Sequence, residues 1–314
     1  MLRLDCPGRP QPDRHVDDVF AATVKALRQR PNLLIVQGDT SSAYGACLAG
    51  VAAGVAVAHV EAGLRSHDLT EPWPEEGCRR SIDRQAELLF APTDLAAANL
   101  RREEVSGAIH VTGNSGIDAL LEIAGRLPPK RPRQDGFHIL VTIHRRENWN
   151  DGLHQVAAAL TQLAAHPETR IDVMLHPNPQ LAGAIATLVG HLPRTSLHPP
   201  CTHRELICRM RESDLVLSDS GGMQEEAPAL GTPLLILRNT TERPEGIATG
   251  NLRLVGCRTA AIVSAVEDLR SDPATLTAMA QPALPYGDGR ASERIAAIVD
   301  GWVAERSQSP RQAI

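Results

Sequence analysis

The sequence predicts an α/β protein built from two doubly wound lobes, and three observations carry that expectation. Short β-branched or Leu-rich runs alternate with longer helical patterns through nearly the whole chain, as parallel strands joined by crossover helices do. A length of 314 residues with 42% hydrophobic side chains supplies two packed cores. The segment Arg126–Gly136, RLPPKRPRQDG, gathers proline, charge and glycine between the two groups of strands, which is a linker composition. The expected organisation is a first lobe over 1–128, a second over 129–290, and a C-terminal helix within 291–314 able to pack back on the N-terminal lobe.

The first lobe opens on a helix at His15–Arg30, followed by strands at Leu33–Gln37, Val55–His59, Leu88–Ala91 and Ile109–Thr112. Strands of the second fall at His138–Thr142, Ile171–Leu175, Leu215–Ser218, Pro233–Leu237 and Leu252–Val255, and the long helical pattern Ala291–Arg306 closes the chain. A doubly wound lobe ordinarily begins with a strand and a Gly-containing turn, and none precedes Val16. The expectation is therefore a small first lobe, or one whose chain begins a βα unit late.

Composition excludes several classes of function. Lys+Arg 32 against Asp+Glu 37 leaves a net charge of -5, so no global field attracts nucleic acid, and any anion must be held locally. Lys25 and Lys130 are the only lysines, and neither sits in a Gly-rich strand-to-helix turn. That excludes a Walker-type phosphate loop and argues against a Schiff-base lysine. The six cysteines show no CxxC or Cys/His spacing, so neither a zinc site nor a disulfide scaffold is indicated, and a reducing compartment fits. The longest uncharged stretch, Ala43–Ala58, contains three glycines and falls short of the roughly 20 apolar residues of a membrane span. Met1–Pro31 lacks the apolar core of a signal peptide. A cytoplasmic protein with no metal, no cofactor, no nucleic acid and no membrane partner is expected.

Polar residues just after apolar runs are the candidate site, because ligands of doubly wound lobes bind at the carboxyl ends of strands. In the first lobe these are Asp39 in QGDTSS, Glu61 in HVEAGLR and Glu75 in EPWPEE. Each also has a structural reading: Asp39 as a helix N-cap, Glu61 as an ion pair with Arg65, Glu75 as an acid complementing a helix dipole. Three carboxylates placed this way in one lobe would converge on a cleft, shift one another's proton affinity and provide for acid/base chemistry. The second lobe carries anion-binding parts. His144 and its neighbours in HRREN form either a phosphate-holding loop or a solvated charged one. In DSGGMQEE, Gly221 and Gly222 let backbone N–H groups approach a pyrophosphate, Ser220 adds a hydroxyl, and Glu226 one turn later can accept from ribose hydroxyls. Arg238 and the loop Thr241–Glu245, with Arg243, follow the next strand.

Taken in order, QGDT, HVEAGLR, PWPEE, HRREN, DSGGMQEE and TERPEG resemble the non-hydrolysing UDP-N-acetylglucosamine 2-epimerase family, from about Pro31 to Gly256. The resemblance implies a GT-B-like fold of two Rossmann-like lobes with substrate between them. It also implies interconversion of UDP-GlcNAc and UDP-ManNAc by UDP elimination to 2-acetamidoglucal and re-addition. It assigns Asp39, Glu61 and Glu75 to the catalytic carboxylates and adds His144, near the diphosphate, to the catalytic residues. Ser220, Gly221, Gly222 and Glu226 then form the UDP cradle, with Arg79 and Arg243 also binding substrate, and His176 lies near a regulatory UDP-GlcNAc site. A homodimer is implied. The family's first strand, its Gly-Thr-Arg-Pro-Glu turn and its Gln-rich segment have no counterpart, and an upstream extension supplying the missing βα unit is expected. Cys78 stands where the family usually has Asn, Arg84 where it often has His, and His203 is the nearest candidate for the aromatic that packs on uracil. The competing readings are a hydrolysing relative, a GT-B glycosyltransferase, and a UDP-sugar-binding relic without turnover.

Overall fold

A computed structural model of the chain describes residues 4, 6–9, 11–129, 136–145, 149 and 151–308. Lys130 and most of the expected linker, together with Arg146, Glu147 and Asn148 of HRREN, lie outside the described residues. The chain forms two compact units, one of 1–118 with 286–314 and one of 119–285.

Unit 1 runs α1 (Pro12–Ala26), β1 (Leu33–Gln37), α2 (Ser41–Ala52), β2 (Ala56–Val60), α3 (Glu75–Gln85), β3 (Leu88–Ala91), α4 (Asp94–Arg102) and β4 (Ala108–Val111). The next helix, α5 (Ser115–Gly125), crosses the boundary. The four strands pair in parallel in the order β1-β2-β3-β4. Strands β2 and β3 are buried along their whole length, as central parallel strands are, and their side chains alternate between two cores. Val57, Leu89 and Ala91 face one core, with Cys47 of α2, Ile82 of α3 and Leu100 of α4. Ala58, Val60, Leu88 and Phe90 face the other.

Unit 2 runs β5 (Phe137–Thr142), α6 (Asp151–Ala164), β6 (Thr169–Met174), α7 (Pro179–Val189), β7 (Thr195–His198), α8 (His203–Glu212) and β8 (Leu215–Ser218). It continues through α9 (Gly221–Leu230), β9 (Leu234–Ile236), α10 (Glu245–Ala248), β10 (Leu252–Leu254), α11 (Thr259–Ser271) and α12 (Pro273–Met279). Its six-stranded parallel sheet has the order β10-β9-β8-β5-β6-β7. This is the Rossmann order, starting at the centre, growing outward to one edge and returning to grow toward the other. The switch point lies between β5 and β8, the place above the carboxyl ends of the strands where doubly wound sheets bind their ligands.

The last helix, α13 (Ala291–Gln308), belongs to unit 1. Ile295, Ile298, Val299 and Trp302 cover the second face of its sheet. The Asp118 carboxylate caps the helix, accepting from Ala291 N at 3.0 Å and Ser292 N at 2.6 Å. Every strand read from the sequence is present, with ends displaced by at most a residue or two. The sixth strand of unit 2, β7, was not foreseen: of its residues Thr-Ser-Leu-His only Leu197 is apolar, and it is an edge strand made by pairing with β6.

Ile295 is buried against the sheet. Ile295→Ala should cost about 2–5 kcal/mol by removing apolar contact and leaving a cavity, read as a lower urea midpoint with unchanged slope.

Candidate active site

Parallel pairing brings the residues that follow each strand out at one edge of each sheet. In unit 1, β1 delivers Gly38 and Asp39, and the adjacent β2 delivers Glu61. Gly38 has φ 71° and Glu61, although it carries a side chain, has φ 74°, a conformation costing about 1–2 kcal/mol. Backbone bonds hold it there: Glu61 N and Ala62 N both donate to Phe90 O at 3.1 Å, and Gly38 N donates to Val60 O at 3.0 Å. The Glu61 carboxylate lies over the Gly38 turn, where an added Cβ would stand 3.7 Å from Oε2.

Thr40, and not Asp39, is the N-cap of α2, accepting from Ala43 N at 3.2 Å. Asp39 is engaged by Arg79, through Nε at 3.1 Å and through Nη2. Arg79 is 1% exposed and also donates from Nη1 to Glu76 at 3.1 Å. Glu75 is the first residue of α3. Both Asp39 and Glu75 act on the Cys78 thiol, which is pushed up to about 12 by burial first and by these two carboxylates next, with Arg79 opposing. The three acids thus gather at one end of unit 1. Arg65 spends its guanidinium on Asp83 at 2.8 Å and on Glu103 at 2.9 Å.

Below the acids sits a buried polar network that sequence reasoning missed. The His59 ring meets Asp83 Oδ1 at 2.6 Å and the Gly38 carbonyl at 2.9 Å. Burial opposes ionisation of Asp83, but the hydrogen bond and charge of His59, and then Arg65, outweigh it and hold the carboxyl below its usual range. A signal was available: Glu76, Arg79 and Asp83 recur at helical spacing on the same side of α3 as the apolar Ile82, so charged residues occupy the buried stripe.

In unit 2, β5 leads to His144 and Arg145, whose backbone N–H groups donate to Asp219 at 2.8 and 3.0 Å. The His144 and His176 rings meet edge to face with centroids 5.4 Å apart, and Trp149 lies 5.8 Å from His176. Burial lowers the proton affinity of His144, opposed by Asp219 and reinforced by His176 and Arg145. It lowers that of His176 also, against Asp219. Both are neutral imidazoles near pH 7, able to donate one hydrogen bond each. β8 leads through Asp219 and Ser220 into α9. An added Cβ at Gly221 would stand 2.8 Å from Arg243 Nη1, whereas at Gly222 it would meet nothing within 4 Å. Arg243 is itself buried and held by Glu225 and Glu242. Arg238 at 3.0 Å and Arg145 at 3.9 Å also converge on Glu242. Three guanidinium groups around one carboxylate, beside a helix N-terminus, make this edge suited to an anion. Glu226 accepts from His203 at 2.7 Å, and burial raises its proton affinity while His203 lowers it. Among the described residues no cluster of His, Cys, Asp and Glu could hold a metal ion, and no helix is long and apolar enough to cross a membrane.

Comparison with known proteins matches residues 15–300 to the family model described as UDP-N-acetylglucosamine 2-epimerase. The UDP-N-acetylglucosamine 2-epimerase of Escherichia coli K12 is 37% identical over 91% of this chain and 81% of its own. The crystal structure of the Neisseria meningitidis UDP-GlcNAc 2-epimerase bound to UDP-GlcNAc superposes with a TM-score of 0.89 at 34% identity, over 94% of this chain and 84% of that one. The S. aureus MnaA–UDP structure gives a TM-score of 0.89 at 31% identity, over 97% and 83%. The fold class is the one expected, α/β and GT-B-like, with two Rossmann-like lobes.

The two glycines of α9 should respond differently to alanine. Gly222→Ala should leave the melting temperature unchanged or raise it, with a gain of up to about 1 kcal/mol from helix propensity. Gly221→Ala should lower it, because the methyl group displaces an arginine that two carboxylates hold.

Proposed function

Because the chain belongs to the UDP-N-acetylglucosamine 2-epimerase family, we propose that it interconverts UDP-N-acetylglucosamine and UDP-N-acetylmannosamine. The C2 proton passes to a carboxylate base as the C1–O bond breaks, and UDP departs with that electron pair, leaving 2-acetamidoglucal. Return of UDP to C1, with protonation of C2 from the opposite face, completes the exchange. Such a sequence needs one group to accept a proton and another to supply one, and Asp39, Glu61 and Glu75 are the candidates. The observation that carries this reading is the convergence of these acids at the carboxyl edge of unit 1, two of them on adjacent strand ends.

The remaining assignments follow the chemistry of each position. The N-terminus of α9, with Ser220, Gly221 and Gly222, takes the diphosphate, and Arg243 adds charge beside it. Neutral His144 donates a hydrogen bond to the departing phosphate oxygen, Glu226 accepts from the ribose, and Arg79 serves substrate binding by keeping Asp39 in place. His176, in ring contact with His144, belongs to a regulatory UDP-sugar position. The working form is a homodimer in the cytoplasm, a location consistent with six cysteines of which none is in a disulfide.

Incubation with UDP-GlcNAc in D₂O, followed by NMR, should show deuterium at C2 of both sugars. An equilibrium mixture without label would refute elimination, and free N-acetylmannosamine accumulating with UDP would identify a hydrolysing enzyme instead. Glu61→Gln should lower kcat by about 10²–10⁴-fold. Gly222→Ala, folded normally, should weaken UDP binding by about tenfold or more, or 1.4 kcal/mol, in calorimetry.

A further inference from the structure

His59 is 0% exposed, and both of its ring nitrogens face oxygen acceptors: Nδ1 the Asp83 carboxylate at 2.6 Å, Nε2 the Gly38 carbonyl at 2.9 Å. A neutral imidazole has one N–H and one lone pair. In either tautomer one nitrogen would direct its lone pair at an oxygen lone pair inside the core, a repulsive and unpaired contact. Moving the proton onto Asp83 would relieve this, but Asp83 Oδ2 accepts from Arg65 Nη2 at 2.8 Å and from Gly63 N at 3.2 Å. Two donors on that oxygen, one of them a guanidinium, are the surroundings of an ionised carboxylate.

We infer that His59 is a permanent buried imidazolium and a positioning residue for the turns that carry Asp39 and Glu61. The inference about those two acids rests on their proposed catalytic role; the charge state of His59 does not. Gly38 is the hinge of the arrangement. Its N–H is tied to Val60 of β2 and its carbonyl to His59 of the same strand, so the exit of β1 toward Asp39 is fastened to β2 at both ends. Glu61 follows His59 by two residues, and its carboxylate lies over Gly38. A fixed positive charge beneath it favours the ionised form, which is the form that can accept a proton.

The charged and titratable groups around His59 agree with this. From α3 comes Asp83, and behind it Arg65, itself paired with Glu103, which Arg80 also approaches at 3.5 Å. From α2, Cys47 is under the influence of Asp83, and its thiol, pushed up to about 12 by burial and then by that carboxylate, is uncharged. From the end of β2 comes Glu61, which favours the protonated ring. The neighbouring strands set only Val36 and Leu89 beside it. Burial works against the charge, but the Asp83 bond, the Gly38 bond and these fields prevail, so the proton affinity of His59 is raised. Its stabilising contribution is complete below the ordinary histidine range and is lost only as pH rises through the raised folded value. That of Asp83 is complete above the ordinary carboxylate range and is lost as pH falls through its lowered value.

Nitrogen-15 NMR of histidine-labelled protein tests the charge without any turnover, with the His59 resonances identified by their absence in His59→Gln. Both ring nitrogens should carry protons with imidazolium shifts at about pH 6 and about pH 8, where an ordinary histidine changes state. A neutral tautomer at either pH would overturn the inference. Turnover of UDP-GlcNAc tests the positioning role. In His59→Gln, which retains an N–H donor but no charge, the acid limb of kcat/KM should move up by about one pH unit or more, with KM little changed. An unmoved limb accompanied by simple loss of folded protein would reduce His59 to a packing residue. Absence of turnover in the unmutated protein would refute the epimerase reading and leave the NMR result standing.

Discussion

Asp83 is a carboxylate in the interior of unit 1, and the working edge of that unit depends on what it holds. Its two oxygens receive His59, Arg65 and the backbone of Gly63. Through His59 it reaches the Gly38 carbonyl, and through Arg65 it reaches Glu103 at the end of α4. One side chain thereby joins α3, β2, the exit of β1 and the loop after β2. Buried ion pairs add little net stability over a well-packed apolar equivalent, because desolvation offsets their attraction, whereas removing one member costs several kcal/mol. What the network contributes is directional: hydrogen bonds specify where Gly38 and Glu61 sit, which apolar packing of the same volume would not.

The anion site proposed for unit 2 would meet a different requirement with different means. An anion needs donors and positive charge fixed in advance, since groups that reorganise on binding return part of the gain. The glycine-led N-terminus of α9 supplies backbone donors at the switch point of the sheet, and the buried Glu242 and Glu225 hold Arg243, Arg238 and Arg145 in place rather than leaving them in solvent. The space at Gly222 and the tight contact at Gly221 set the two glycines apart: of the two, it is at Gly221 that the fold itself crowds an added side chain.

The parts legible in the sequence are those where local pattern and tertiary environment agree. The apolar run Leu215–Ser218 ends in a polar, glycine-containing turn, so strand, turn and helix N-terminus announce themselves. Asp39 shows where local reasoning fails: a capping role fits the short range, yet Thr40 caps the helix and Arg79, forty positions along, takes the carboxylate. Arg65 likewise has an acid four residues before it and pairs with Asp83 and Glu103 instead. Charged side chains choose partners by proximity in space, and a burial-driven fold sets those distances.

By itself the sequence determined that the chain is a two-lobed parallel α/β protein with acids at the strand ends of one lobe and a glycine-led polar turn in the other, because alternation of apolar runs and turn residues is a local property. Tertiary structure alone decided that a polar tetrapeptide becomes β7 and that both ring nitrogens of His59 face oxygen acceptors inside the core. Each of those outcomes is set by which surface remains to be buried and which acceptor faces which donor once the strands are in register, and neither quantity exists until distant segments of the chain have met.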